Sequence, residues 1–449
     1  MALIFVAGKD PLTAVGGHST YVRAHALAAV AAGFTPQIFC AAATSARVEG
    51  EYGVVHRVAS PLRSHRHPTM VAHQPFLSAA VLRLVAGDPG MHLVHGFGPW
   101  SYVGVKACHG LRRRGARAVA VASAYTTLEH DWRAKLAGLG WRGGVRRRLR
   151  YEAEYLWIRG VAGRCERAGY AGSRLVLVNY ESVRRLLAAA VGPGVEVRRL
   201  PYASEAAFRP EAPARCRDAP AAGDAPAAGD ADVAGDADVA GDAAVAGAPG
   251  ALHPAAPPAP IAALEPATAP LIVALARHDP RKGLDLLLRC LAGLRDEGVP
   301  FRACLVGPGT LLAEHRRLAA ELGLTGTAAI PGWVDDPGAY LRQADLFVLP
   351  SLEEGSGSLA LLEALQASCA IVASACDGVP EDLVDGDSAL LVPPGDRSAL
   401  QGALRRALGD PELRRRLARR ARATYEAHFS HAALTQALAA VYAELGLTP

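Results

Sequence analysis

Six short apolar runs after residue 270, five of them followed by a segment of helix length, leave this chain few folds to adopt. They are Leu271–Ala276, Ala303–Val306, Ala328–Ile330, Leu346–Leu349, Ala370–Ala373 and Leu390–Val392, with helical patterns at 283–296, 310–322, 336–343, 358–367 and 397–408 between them. Runs apolar on every residue fit strands covered on both faces, and strands alternating with helices fit a parallel, doubly wound sheet. The first 210 residues repeat the pattern. Strand candidates there are Leu3–Ala7, Gln37–Cys40, Met91–His95, Ala118–Ala122, Leu175–Val178 and Val195–Leu200, and a helix is expected from about Thr20 to Ala32.

The two blocks are separated by residues 211–268, built from Ala, Pro, Gly and Asp, with Gly-Asp recurring at 223, 229, 235 and 241. So few large apolar side chains cannot offset chain entropy, and the composition reads as a disordered linker. The D-x-D pairs at 230/232 and 236/238 are accounted for by the repeat, so no metal site is assigned to them. The organisation expected is therefore 1–210, an N-terminal Rossmann-like domain; 211–268, the linker; 269–425, a C-terminal Rossmann-like domain; and 426–449, a last helix near His431–Leu445 returning to the first domain.

Composition narrows the class. The net charge is +5 and aromatic residues make up 6%, which does not suit a dedicated nucleic-acid binder. The eight cysteines are scattered without a C-x2-C pair and read as reduced. The apolar stretch at the N-terminus is too short for a signal peptide, and no run reaches the length of a membrane span. A soluble, cytoplasmic protein is expected. The arginines at 112–114 and 146–150 allow at most a peripheral attraction to an anionic membrane.

Arg277 and Lys282 follow directly on the strand Leu271–Ala276, and Gly283 opens the next helix. Ligands of open α/β sheets bind beyond the C-terminal ends of the strands. Two cations there suit a diphosphate, the arginine as a fork and the lysine as a point charge. Lysine is scarce: of 48 Lys plus Arg, four are lysines, at 9, 106, 135 and 282. A second strand, ending at Leu349-Pro350, runs into Glu353-Glu354-Gly355-Ser356-Gly357-Ser358, then a helix through Leu359 and Glu363. Ser358 is a candidate N-cap, with Leu359, Leu362 and Leu365 on the inward stripe. The loop amides can meet phosphate, and the glutamates can accept from sugar hydroxyls. Gly16 and Gly17 form a turn after the first strand. Acceptor-side candidates are His95, Tyr125, Thr126 and His130.

With these residues set out, the chain resembles the GT-B glycosyltransferases, in particular the large retaining group called family 4. Arg277-x4-Lys282-Gly283 is similar to that family's donor-diphosphate pair. Gly332-Trp333-Val334 and Ala344–Ser351 are similar to its nucleotide-side framework, and Asp377-Gly-Val-Pro380-Glu381 to the loop that follows. Glu363-Ala resembles the second glutamate of its E-x7-E motif, the ribose ligand, and Gly16-Gly17 resembles its glycine turn beneath the donor phosphates. The first glutamate of the motif would fall at Gly355. Either the loop holds one extra residue and Glu354 serves, or that role has moved.

The resemblance implies two Rossmann-like domains facing across a cleft. It implies sugar transfer from a nucleotide diphosphate sugar to an acceptor hydroxyl with retention, without metal or cofactor. Arg277, Lys282, Glu354 and His130 would be catalytic. Gly16, Gly17, Gly332, Trp333, Val334, Glu354, Gly355, Ser356, Gly357, Ser358, Leu359 and Glu363 would join the cations in holding the donor. His95, Tyr125, Thr126 and His130 would face an acceptor of unknown kind, whether carbohydrate, lipid-linked or small molecule. The rival readings are another GT-B enzyme, such as a sugar-nucleotide epimerase, or a non-catalytic nucleotide-sugar-binding protein.

Overall fold

The structure is a computed structural model, and it describes residues 1–14, 17–60, 67–139, 145–192, 194–203, 258–354 and 357–449. Gly16, Gly355, Ser356 and most of the expected linker lie outside them. The first sheet contains β1 (Ala2–Val6), β2 (Gln37–Ala42), β3 (Ala46–Gly50), β4 (Gly53–Ala59), β5 (Met91–Phe97), β6 (Arg117–Ala124), β7 (Leu175–Val178) and β8 (Val197–Arg199). Its helices are α1 (Gly17–Ala31), α2 (His67–Leu84), α3 (Ser101–Arg112), α4 (Leu128–Leu139), α5 (Val145–Trp157), α6 (Gly163–Gly172) and α7 (Glu181–Val191). The second sheet contains β9 (Leu271–Leu275), β10 (Arg302–Val306), β11 (Ala328–Gly332), β12 (Leu346–Leu349), β13 (Ala370–Ser374) and β14 (Leu390–Val392). With it go α8 (Ala259–Ala262), α9 (Leu284–Asp296), α10 (Leu312–Glu321), α11 (Pro337–Gln343), α12 (Leu359–Gln366), α13 (Val379–Asp382), α14 (Arg397–Gly409) and α15 (Pro411–His428), before the last helix, α16 (His431–Glu444).

The strand orders are β3-β4-β2-β1-β5-β6-β7-β8 and β11-β10-β9-β12-β13-β14. All pairings are parallel except the β3–β4 hairpin. Chain direction across the sheet reverses between β1 and β5 in the first domain and between β9 and β12 in the second. A doubly wound sheet opens a ligand crevice at such a switch point. The hairpin was not expected from the sequence: Ala46–Gly50 is largely exposed and carries no apolar alternation.

Three corrections to the expected elements follow from burial. Residues 258–268 do not belong to a linker. They form α8 and a turn that buries Ile261 and Leu264, and the Glu265 N–H donates to the Gly326 carbonyl at 2.9 Å. On α12 the inward residues are Leu361, Leu362, Ala364 and Leu365, while Leu359 begins the helix half-buried. Strand β5 runs on to Phe97, past the expected end at His95, which draws that histidine into the sheet layer.

The domains meet through the C-terminal edges of both sheets. Tyr180, directly after β7, sits in a notch formed by Gly357 and Gly378, where any Cβ would overlap its ring. Its hydroxyl donates to the Asp382 carboxylate, and Tyr202 Oη donates to the same oxygen at 3.1 Å. Beside it, Glu381 accepts from the Glu181 and Ser182 N–H groups at 2.7 and 3.1 Å, so an acid of the second domain caps α7 of the first. At the chain's end α16 lies on α1, with Leu434, Leu438, Val441 and Tyr442 in the first domain's core.

Burial pushes the Asp382 carboxyl up to about 7, against the pull of the two tyrosines and Arg199. Glu166, which caps α4 at the Leu128 N–H (2.9 Å) and meets Tyr170 Oη (3.1 Å), is pushed up to about 7 by burial as well. Both groups hold protons in the folded chain that the unfolded chain releases near pH 4, so the stability each contributes is present in acid and is lost as pH rises towards 7. Each such group changes stability by at most about 1.4 kcal/mol per pH unit in that window. Asp382→Asn, neutral throughout, should therefore gain melting temperature relative to the parent chain as pH rises from 5 to 8; a difference between the two that does not change with pH would exclude Asp382 as a titrating group.

Candidate functional site

The apolar run of β9 is fully buried, and the chain leaves it at Ala276 into a short turn, Arg277–Gly283. Asp279 caps that turn by accepting from the Arg281 N–H at 3.1 Å. The Arg281 carbonyl in turn accepts from the Leu352 N–H at 2.7 Å, tying the turn to the loop after β12. Gly283 makes this closeness possible. It adopts a left-handed conformation (φ 60°) at the start of α9, and a Cβ there would overlap the Pro350 carbonyl oxygen. The two strands flanking the switch point thus deliver their loops into contact.

That contact creates the site's central pair. Lys282 Nζ lies 2.7 Å from Glu354 Oε2, and the other Glu354 oxygen accepts from the Ser351 hydroxyl. The Glu354 side chain is only 2% exposed, and its backbone N–H donates to Asp377 Oδ2 at 2.6 Å. An ammonium and a carboxylate so shielded hold each other in place, and the Lys282 side chain stays 18% exposed. Arg277 is exposed and has no ion-pair partner among the described residues. His278 behind it is buried. Its Nδ1 is 2.8 Å from His315 Nδ1, and burial followed by the neighbouring His315 pushes it down to about 4, so a neutral imidazole braces the turn.

Glu353 and Glu354 point to different partners. Glu353 Oε1 is 3.7 Å from His130 Nε2, which lies in the first turn of α4 across the cleft, and Arg281 Nη1 is 3.8 Å from Asp131 Oδ1 beside it. Hence Glu353 does not face open solvent but bridges the domains. Ser358 caps α12 at the Leu361 N–H (3.3 Å), and Gly357 before it takes φ 93°. Glu363 is half-buried on the first turns of that helix. Gly332 is buried at the end of β11, Trp333 beyond it is 59% exposed, and Val334 packs partly on the core. Gly17 begins α1 at the switch point of the first sheet.

The structure brings Lys282 and Glu354 into contact and sets His130 against Glu353. It does not bring His95 or Tyr125 to the cleft. His95 is fully buried, with Tyr442 Oη at 2.9 Å from Nδ1 and Ser123 Oγ at 2.7 Å from Nε2. With both ring nitrogens engaged it joins α16 to the first sheet. Tyr125 stacks on Tyr21 at 3.8 Å between ring centroids. Thr126 is half-buried, and its hydroxyl donates to the Thr127 carbonyl at 3.5 Å.

Ser351 and Asp377 stood only within family-like segments, without a role of their own, and Tyr180 and Asp382 were not among the candidates. The sequence signal for the first two was their position after buried strands. Tyr180 and Asp382 depend on contacts between domains and carry no local pattern. His18, in the first turn of α1, was also passed over. Burial, with Lys9 nearby, pushes its imidazole down to about 4, and Nε2 has no hydrogen-bond partner among the described residues.

Residues 260–424 match the sequence profile of the family described as Glycosyl transferases group 1. Among curated proteins, the lipopolysaccharide core biosynthesis glycosyltransferase LpsE of Rhizobium meliloti is 33% identical over 38% of this chain and 49% of its own length. The GDP-mannose-dependent alpha-(1-6)-phosphatidylinositol monomannoside mannosyltransferase of Mycolicibacterium smegmatis is 32% identical over 32% of this chain and 39% of its own. The matched region thus spans about half the length of these relatives or less. Among solved structures, the sucrose-phosphate synthase of Thermosynechococcus elongatus superposes with a TM-score of 0.68 at 22% identity, covering 99% of each chain. Anabaena HepE in complex with UDP gives 0.61 at 15% identity, covering 99% of this chain and 100% of its own. The fold is therefore GT-B, two Rossmann-like domains facing across a cleft, and the second domain carries the sequence similarity to group 1 glycosyl transferases.

Proposed function

We propose that this protein is a glycosyltransferase that moves a sugar from a nucleotide diphosphate sugar to an acceptor hydroxyl, with retention at the anomeric carbon and without a metal ion. The Lys282–Glu354 pair at the switch point of the second sheet, beside Arg277, which is exposed and has no ion-pair partner among the described residues, is the observation that carries this reading. A leaving diphosphate gains negative charge as the glycosidic bond breaks, and fixed cations aimed at it lower the barrier. Lys282, oriented by Glu354, donates its remaining N–H groups to one phosphate, and the Arg277 fork takes the other. Glu363 accepts from the ribose hydroxyls. The Gly357–Leu359 backbone, at the start of α12, meets the donor with its amides.

On this reading Glu354 takes the first role of the glutamate motif. Glu353 and His130 stand at the acceptor side. Retention is inferred from the resemblance to family 4. Support for a nucleotide donor comes from the superposition on Anabaena HepE, whose crystal structures are described as complexes with UDP and with UDP-glucose.

The reading is tested by donor-dependent turnover across nucleotide sugars. Lys282→Ala should remove a charge-assisted contact of about 1.5–3 kcal/mol and lower kcat/KM by one to two orders of magnitude. Glu354→Gln should lower turnover well beyond Glu353→Gln, because it breaks the pair that orients Lys282, while Glu353 meets only a partly exposed histidine. Glu363→Gln should weaken the binding of the nucleotide diphosphate itself, measured by calorimetry. Unchanged turnover in Lys282→Ala would remove the donor-site assignment, and inverted configuration in the first product seen by NMR would remove retention. Turnover should also persist in EDTA, since Arg277 and Lys282 supply the positive charge. Complete loss restored by manganese or magnesium would contradict that.

A further inference from the structure

Asp377 is held in a conformation that few side chains accept. Its φ is 46°, and among the described residues Ser368 is the only other non-glycine with a positive φ. Such a backbone costs energy and persists where its surroundings fix it. One constraint acts on Asp377 itself, whose Oδ2 accepts from the Glu354 N–H at 2.6 Å. Asp377 thereby anchors the backbone of the residue whose carboxylate lies 2.7 Å from Lys282 Nζ. The other constraint acts on its neighbour, Gly378, and comes from the first domain.

Tyr180 is wholly buried at the junction. Its ring lies against both Gly357, on the way into α12, and Gly378, on the way into α13. The ring's own place is fixed from several sides. Tyr202 meets it edge-on at 5.3 Å between centroids, the Arg199 guanidinium stands 6.0 Å from its centre, and Asp382 accepts from its hydroxyl. Arg199 in turn reaches Glu381 and Asp382 at 3.6 and 3.8 Å. A stiff aromatic wedge from one domain thus stands between two segments of the other, one three residues after Glu354 and one directly after Asp377.

We infer that Tyr180 is a positioning residue for the donor site: its ring, seated between Gly357 and Gly378, holds Asp377 where it anchors Glu354, and so sets the Lys282–Glu354 pair. The affinity of the second domain for a nucleoside diphosphate then depends on a side chain of the first. Gly378 shows how close the fit is. Its φ is −80°, which any residue adopts, so the Tyr180 ring and not the backbone bars a side chain there. The inference rests on the proposed donor reading and adds to it a residue that acts through Asp377 and Glu354.

Calorimetry of the full chain with a panel of nucleoside diphosphates tests it. Tyr180→Ala should weaken binding of whichever nucleotide the parent binds by about tenfold, and Tyr180→Phe, which keeps the ring, should stay within about twofold. A tyrosine that served packing alone would lower the melting temperature and leave the affinity of the folded protein unchanged. Gly378→Ala should weaken binding by a similar factor, because its methyl meets the ring, and should add nothing to Tyr180→Ala once the ring is gone. If Tyr180→Ala folds poorly, Gly378→Ala asks the same question from the second domain. Parent-like affinity in either folded variant, equal loss in Tyr180→Phe, or losses that simply add in the double variant would overturn the inference and leave the donor site standing. A parent chain that binds no nucleoside diphosphate would remove the donor site, and the inference with it.

Discussion

The approach of Gly283 to the Pro350 carbonyl sets the geometry of the candidate site. Two strands that are far apart in sequence but adjacent across the switch point end in loops that touch there, because one residue lacks a side chain. Their contact puts an ammonium and a carboxylate at 2.7 Å in a shielded position. Neither charge would be tolerable there alone: a buried carboxylate without its partner costs several kcal/mol or takes up a proton. The pair also fixes direction. With one side of Lys282 occupied by Glu354, its other protons are those that the proposed donor phosphate would meet.

The same economy of polar groups marks the junction between domains. Tyr180 occupies the Gly357–Gly378 notch, so the loop leading into α12 is shaped partly by a side chain of the other domain. Glu381 supplies the missing acceptor for the first N–H groups of α7, and Asp382 takes two tyrosine hydroxyls. Through α16, the chain's end adds His95–Tyr442 to the links between the halves. Movement of one domain against the other must therefore break these hydrogen bonds beside the start of α12.

Much of the architecture was legible in the sequence. Buried runs such as Leu271–Leu275 and Leu346–Leu349 can be satisfied only as covered strands, and the periods between them are those of crossover helices. Arg277, Lys282 and Glu354 stood out as candidates because they follow directly on buried strands, where ligands of open α/β sheets bind. The hairpin β3–β4 was not legible, since an exposed edge strand shows no alternation. Nor was the ordered start at Pro258, where Ile261 and Leu264 are too few to stand out against an Ala/Pro-rich background.

What the sequence by itself determined is the repertoire of local choices: strand or helix, the Ser358 cap, the glycine needed at 283, and the charges at two strand ends. Only the tertiary structure decided which of these meet. His95 and His130 both looked like strand-end histidines. A strand longer by two residues draws one into the core against Tyr442, while the first turn of α4 carries the other to Glu353. Likewise Glu353 and Glu354 are adjacent and chemically identical, and only the neighbours across the switch point and across the cleft give them different partners. The physical reason is that periodicity reports on a segment's own burial, whereas ion pairs and shared protons depend on distances between segments that no local pattern encodes.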